Sequence, residues 1–331
     1  MSQQLLQERL LHNNGMRDAL TKRILLLAHF YDIAGSNLDD AKYFLEYDEN
    51  PQNSLTVGPK YKPGKFALAV GHAIGWESQL VKVILLHFKP MQFGNFLEAM
   101  LINSANIYHI TFADYKYSTT PLKKTNNNDD DDPKKKKEEA EEVDPYHNKK
   151  RKMEHQSPQN IYIPDFTFLN VKKTKVKSFF FHDCSFPVIS AFLDACENYA
   201  CPIEEFAITN SELRVTELFK VLREISNLEC FLNIRRLGFL HDTIPQFPVD
   251  QLPPFLSLAS CLENLVISDV EADGSQIFVA VCSTNTPLKV LKLTNISFHT
   301  NANMASLQLP ASLMYTDFTK SSFSATAFKD V

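Results

Sequence analysis

The sequence predicts an α/β fold, a curved solenoid or horseshoe with parallel strands on its concave face and helices on its convex face. Three observations predict it. An apolar-x-x-apolar-x-apolar template returns at steps of 25 to 31 residues. Helical periodicity fills the intervals. A run of mixed charge, and no apolar span, interrupts the array. A unit that cannot bury its own apolar side must stack on a like neighbour, so a fixed period of this length marks a repeat architecture.

The template is clearest in VKSFFFHDCSF, residues 176–186, as Val176, Phe179 and Phe181. It returns as Ile203, Phe206, Ile208, then Ile234, Leu237, Phe239, then Leu262, Leu265, Ile267, then Leu288, Leu291, Leu293. Leu313, Thr316 and Phe318 form a weaker copy, and Val81, Ile84, Leu86 and Ile107, Ile110, Phe112 fit upstream. From Val176 the steps are 27, 31, 28, 26 and 25 residues, and Val81 to Ile107 is 26. Ile107 to Val176 is 69 residues, one step plus an insertion. Strand side chains alternate, so Phe179 and Phe181 point into the stack and Phe180 onto the concave face.

Between templates the apolar residues follow the 3–4 spacing of a helix stripe. Val188, Ile189, Phe192, Leu193, Cys196 and Tyr199 form one stripe, and Val215, Leu218, Phe219, Leu222 and Ile225 another. Phe93, Phe96, Leu97, Met100 and Leu101 form a third. Residues 65–76 read as the helix of a degenerate repeat, and residues 3–33 as one or two helices. The chain therefore divides into a helical region or cap over 1–78, repeats over 79–117, an insert over 118–160, and repeats over 161–331. The last repeat carries no polar cap, which points to a fragment of a longer array or to an end covered by a partner.

The insert contains KKTNNNDDDDPKKKKEEAEEVDPYHNKKRKMEH, with 10 basic and 10 acidic residues between 123 and 154. With almost no apolar residues it cannot offset its ordering entropy, so it is expected to be disordered. Its basic clusters, residues 134–137 and 149–152, have the spacing of a bipartite nuclear-import signal. The interleaved acids favour a plain solvated loop over that signal.

The LxxLxL pattern resembles the leucine-rich-repeat family, and the long period resembles its ribonuclease-inhibitor-like branch. The resemblance covers residue 79 onward, apart from the insert. It departs at the consensus Asn. Cys184, Ser211, Asp242, Val270 and Ile296 stand there, while Asp183, Asn210, Asp269 and Asn295 lie one place earlier, which predicts irregular hydrogen bonding in the turns. The Phe-rich units and the polar pair after each strand (HDCSF, TNISF, SDVEA) also resemble the arrays of CARMIL-type proteins. That resemblance implies a regulator of capping protein and actin assembly.

Composition excludes some functions. Net charge is −5, so no global basic field attracts nucleic acid. The N-terminus is polar and mixed in charge, so no secretory signal is expected, and no apolar run is long enough to span a membrane. Six cysteines without CxxC or zinc spacing read as reduced thiols, with Cys196, Cys230, Cys261 and Cys282 as small core residues. There is no GxxxxGK[ST], HExxH or GxSxG. GHAIG, residues 71–75, sits inside a helical pattern and lacks dinucleotide-loop spacing. His182 and Cys184 could suggest a Cys–His couple, but Cys184 occupies a turn place that this family fills with Asn or Cys. No enzyme, cofactor, metal or small-molecule substrate is expected.

The expectation is a cytoplasmic, non-catalytic protein-binding scaffold, with actin-assembly machinery as partner. The alternative is a nuclear or ribosome-related adaptor that uses the basic clusters. The candidate partner-binding residues are the outward ones of the concave face: His109, Phe180, His182, Glu205, Arg235, Arg236, Leu240, Lys292 and Tyr315. Aromatic and Arg side chains suit interface hot spots. No column of like charge emerges, so a single ionic ligand is not indicated.

Overall fold

The computed structural model describes residues 20, 45–46, 54–57, 64–77, 80–86, 90–104, 106–115, 164, 166–170, 175–199, 201–211, 213–244, 246–299 and 308–324. The helices expected over 3–33 and the insert expected over 118–160 lie outside them, Leu20 apart.

Strand β1 (Leu45–Glu46) pairs antiparallel with β2 (Ser54–Val57). Then come α1 (Gly64–Gly75), β3 (Lys82–Leu86), α2 (Pro90–Asn103) and β4 (His109–Ala113). They are followed by β5 (Ser178–His182), α3 (Phe186–Tyr199), β6 (Glu205–Thr209), α4 (Val215–Asn227) and β7 (Arg236–Ile244). The last elements are α5 (Leu252–Leu258), β8 (Asn264–Val270), α6 (Gly274–Cys282), β9 (Val290–Thr294), β10 (Ser297–Phe298), β11 (Tyr315–Asp317) and β12 (Ser322–Phe323). The main sheet has the order β1-β2-β3-β4-β5-β6-β7-β8-β9-β11, and every pair from β2 onward is parallel. Spatial order follows chain order. With right-handed crossovers, all helices then fall on one face of the sheet.

The register makes the template a column. Val83, Ile110, Phe179, Phe206, Leu237, Leu265 and Leu291 are successive partners. Each is at most 1% exposed. Leu85, Phe112, Phe181, Ile208, Phe239, Ile267 and Leu293 form a second column, fully buried. Phenylalanines dominate near β5. Phe192 of α3 lies 4.9 Å from Phe179 and 5.0 Å from Phe181 between ring centroids. Such aromatic pairs add about 0.5–1.5 kcal/mol each beyond the area they bury. At β11 the columns open: Leu313 and Phe318 are half-buried and Thr316 is exposed.

Three expectations need correction. The upstream template is Leu80, Val83 and Leu85, all buried, not Val81, Ile84 and Leu86; Val81 is 40% exposed. In LVKVILL both triplets are apolar, and a one-residue slip swaps the two faces. The pairing of Val83 with Ile110 and Leu85 with Phe112 decides which is used. Secondly, the described residues between β4 and β5 hold a 3₁₀ turn, Thr167–Asn170, and no α-helix. Phe166 fills that place, 5.5 Å from both Phe112 and Phe192. Thirdly, Cys261 and Cys282 are only half-buried, whereas Cys196 and Cys230 are in the core. Both lie near helix-to-strand turns, where neighbours cover only one side.

GHAIG has a packing role. A Cβ on Gly71 would lie 2.4 Å from the Phe96 carbonyl oxygen, and one on Gly75 2.3 Å from that of Met100. The two glycines, four apart on α1, let α2 approach backbone to backbone. Among the described residues, no helix is long and apolar enough to cross a membrane.

Candidate functional site

The face of the sheet opposite the helices, here the second face, is built from template places three, five and seven. The first of these runs Lys82, His109, Ser178, Glu205, Arg236, Asn264, Val290 and Tyr315 across the sheet. The next runs Ile84, Thr111, Phe180, Ala207, Gly238, Val266 and Lys292.

The structure departs from expectation first at His109. It was expected to face a partner, yet it is buried. Its Nδ1 is 2.6 Å from Ser178 Oγ, and its Nε2 is 2.8 Å from Thr111 Oγ1. Phe180 packs edge-on at 4.2 Å. Ser178 donates its one proton to Glu205 Oε2 at 2.9 Å, so Nδ1 of His109 carries the hydrogen and Nε2 accepts from Thr111. Burial, and then the nearby Lys82 charge, push the imidazole down to about 3. His109 is a neutral strut under Phe180.

Glu205 is drawn into the same network. Its other oxygen takes Arg236 Nη1 at 3.0 Å, and the Arg236 side chain remains 61% exposed. Arg235 and His182 are exposed, and Phe180 and Leu240 are half-buried. Nδ1 of His182 meets Thr209 Oγ1 at 2.8 Å. Lys292 lies over the Tyr315 ring, 5.8 Å from its centroid. The nine candidates therefore form separate groups. His109, Phe180, Glu205 and Arg236 meet through Ser178, whereas Lys292 and Tyr315 sit at the far end of the sheet, beyond β8.

Arg235, expected on the second face, instead occupies the second template place, outside places three, five and seven, and the residues missed by the sequence reading are its equivalents in other units. Lys177 donates to Glu204 at 2.6 Å, Tyr108 hydroxyl donates to the same carboxylate at 3.1 Å, and Lys289 pairs with Glu263 at 3.1 Å. Read down the repeats, this place alternates in sign: Lys177, Glu204, Arg235, Glu263, Lys289. That comparison across units was the available signal. The hydrogen bonds from Lys177 hold the Glu204 carboxyl below its usual range. Burial, and then Glu205 and Glu204, push Tyr108 up to about 12.

The turns after the strands are more regular than the consensus mismatch predicts. Asp114, Asp183, Asn210, Asp269 and Asn295 all have φ between 51° and 60°. Asn and Asp tolerate this left-handed region best among residues with a Cβ. The next place does the bonding of the consensus Asn. Ser211 Oγ accepts from Cys184 N–H at 3.0 Å, and Ser321 Oγ accepts from Ile296 N–H at 3.1 Å.

Cys184 is buried, its Sγ 3.3 Å from the Phe112 carbonyl, and burial pushes its thiol up to about 12. His182 points to the second face while Cys184 points into the stack, so the structure does not bring them together as a nucleophile and base. Among the described residues, no group of three His, Cys, Asp or Glu side chains could hold a metal ion. The chain was also compared with known proteins. No protein-family model matches it, and no curated protein does.

Proposed function

We propose that the chain is a leucine-rich-repeat solenoid of the long-repeat, ribonuclease-inhibitor-like type, working as a non-catalytic scaffold that binds another protein on the second face of its sheet. The inner column from Val83 to Leu291 carries the repeat reading, because it keeps one register through seven strands despite the long interruption between β4 and β5. The binding reading rests on Phe180, Arg236, Lys292 and Tyr315. His109 and Glu205 brace the first two from beneath, so little side-chain freedom is lost when a partner lands.

The CARMIL-like resemblance names the partner class as actin-assembly machinery. Affinity capture from cell extract, with wild type beside a Phe180→Ala/Arg236→Glu variant, tests both parts. Capture of an actin-assembly protein by wild type and its loss in the variant is the expected result. Capture unchanged by the variant would remove the second face as the site, and the absence of any such protein would remove the CARMIL-like reading.

The basic clusters 134–137 and 149–152 favour a second reading, a nuclear adaptor. Residues 118–160 fused to a fluorescent reporter would carry it into the nucleus. A reporter that stays cytoplasmic would end that reading.

A further inference from the structure

The rim of the array where helices end and strands begin differs in chemistry from the rest of the molecule. Nine large apolar side chains are exposed among the described residues, and seven lie on this rim, including Leu232 (49%), Leu258 (50%), Leu309 (57%) and Met314 (82%). Isolated exposed leucines need no explanation, but their concentration on one rim does. Leu232 and Leu258 flank a shallow, open crevice between α4 and α5, lined also by Ile225, Phe231 and Phe255.

Charge on this rim is mainly acidic from β6 onward, with four Glu against Arg235 and Lys289. The turns leading into β6, β7, β8, β9 and β11 are residues 197–203, 226–233, 257–262, 282–287 and 308–312. They contain Glu197 and Glu229 and no Lys, Arg or His, and the residues between them and the strands add Glu204, Arg235, Glu263 and Lys289. The lead-in to β5 is the exception, with Lys172, Lys173 and Lys175. The same rim collects the C-terminal ends of α3, α4, α5 and α6, and none of these has a basic residue in its last turn. Helix C-termini carry partial negative charge and favour cations, which this chain does not supply. At the second template place Lys177 pairs with Glu204 and Lys289 with Glu263, and the exposed Arg235 acts on Glu204 through its charge.

We infer that this rim, centred on the α4–α5 crevice, is a docking surface for a basic amphipathic helix of a partner protein. The helix's apolar stripe would seat on Leu232 and Leu258, and its flanking Lys or Arg side chains would meet Glu229, Glu197 and the helix carbonyl ends. Turns offer no strand edge to an extended peptide, so a helix laid in a groove is the mode that fits. An anionic membrane surface or a nucleic acid would be repelled by the same charges. The inference rests on the scaffold reading but moves contact away from the second face.

The test uses the whole 331-residue chain and two fluorescein-labelled peptides, LKKLLKLLKKLLKL and LEELLELLEELLEL, which share an apolar stripe and differ in charge sign. Anisotropy titrations compare wild type, Leu232→Ser/Leu258→Ser and the second-face variant Phe180→Ala/Arg236→Glu, each with its melting midpoint checked. The expected result is binding of the lysine peptide, with the glutamate peptide at least about tenfold weaker. The rim variant should lose at least about tenfold, and the second-face variant nothing. No binding, equal binding of both peptides, or a loss confined to the second-face variant overturns the rim proposal. The scaffold reading fails separately, if wild type captures no protein that either variant loses.

Discussion

Phe206 lies beside Phe179 across the β5–β6 ladder, each the register partner of the other and each at most 1% exposed. The residues are 27 positions apart, one period of the template. Each is covered on one side by the neighbouring unit and on the other by its own, so Phe206→Ala should destabilise the chain by about 3–5 kcal/mol. Phe180→Ala, on the other face of the same ladder, should cost less than about half of that. Urea unfolding of the two variants, with unchanged slopes, checks the contrast.

The register at β3 is tested in the same way by neighbours. Val83 is fully buried and Ile84 half-buried. Val83→Ser places a hydroxyl in the column and should cost about 2–4 kcal/mol. Ile84→Ser should cost roughly 1 kcal/mol or less. The reverse order would mean that the upstream unit uses Val81, Ile84 and Leu86 after all.

Gly71 and Gly75 admit the carbonyls of Phe96 and Met100. A methyl at either place meets backbone, which cannot swing aside as a side chain can. Gly71→Ala should therefore destabilise by about 1–3 kcal/mol, although alanine is the better helix former. A stabilised Gly71→Ala variant would contradict the close α1–α2 approach.

His109 predicts an acid dependence. Its folded pKa of about 3 lies below its ordinary 6.5, so the unfolded chain binds the extra proton between these values. Stability from this group is full above pH 6.5 and falls as pH drops towards 3, by at most about 1.4 kcal/mol per pH unit. His109→Asn should remove one proton from the slope of unfolding free energy against pH between about 4 and 6. An unchanged slope would show that His109 titrates normally.

Thiol labelling separates the cysteines. Cys261 and Cys282 are half-buried, whereas Cys184, Cys196, Cys201 and Cys230 are buried. Burial also pushes Cys184 up to about 12 and Cys201 up to about 11. Thiolates are the reactive form, so a maleimide should modify Cys261 and Cys282 first, and the other four only on unfolding. Rapid native labelling of Cys184 would contradict its place in the stack.

Much of the fold was legible because repetition averages out local ambiguity. Phe179, Phe206, Leu237, Leu265 and Leu291 share one spacing, and no single match had to carry the assignment. At β3 the logic failed, since LVKVILL offers two apolar phases and only the partner strand chooses. The short pair β1–β2 was missed because SLTV has too few residues to show a period. The second face was harder to read than the core. An outward place says nothing about whether a side chain is free, and His109 became a buried strut only because Ser178 and Thr111 flank it from the next strand and its own. The helix-to-strand rim went unread because its signal is a shortage of basic residues spread over several turns.

The central claim is that successive template strands lie side by side in one register. Engineered cysteine pairs test it most directly. His182 and Thr209 are register partners on neighbouring strands, while His182 and Leu240 are two strands apart. Neighbouring strands lie roughly 4.8 Å apart, within disulfide reach, and two steps lie beyond it. Under mild oxidation, followed by peptide mapping, His182→Cys/Thr209→Cys should cross-link in the folded chain and His182→Cys/Leu240→Cys should not. Cross-linking of the second pair without the first would contradict the in-register stack.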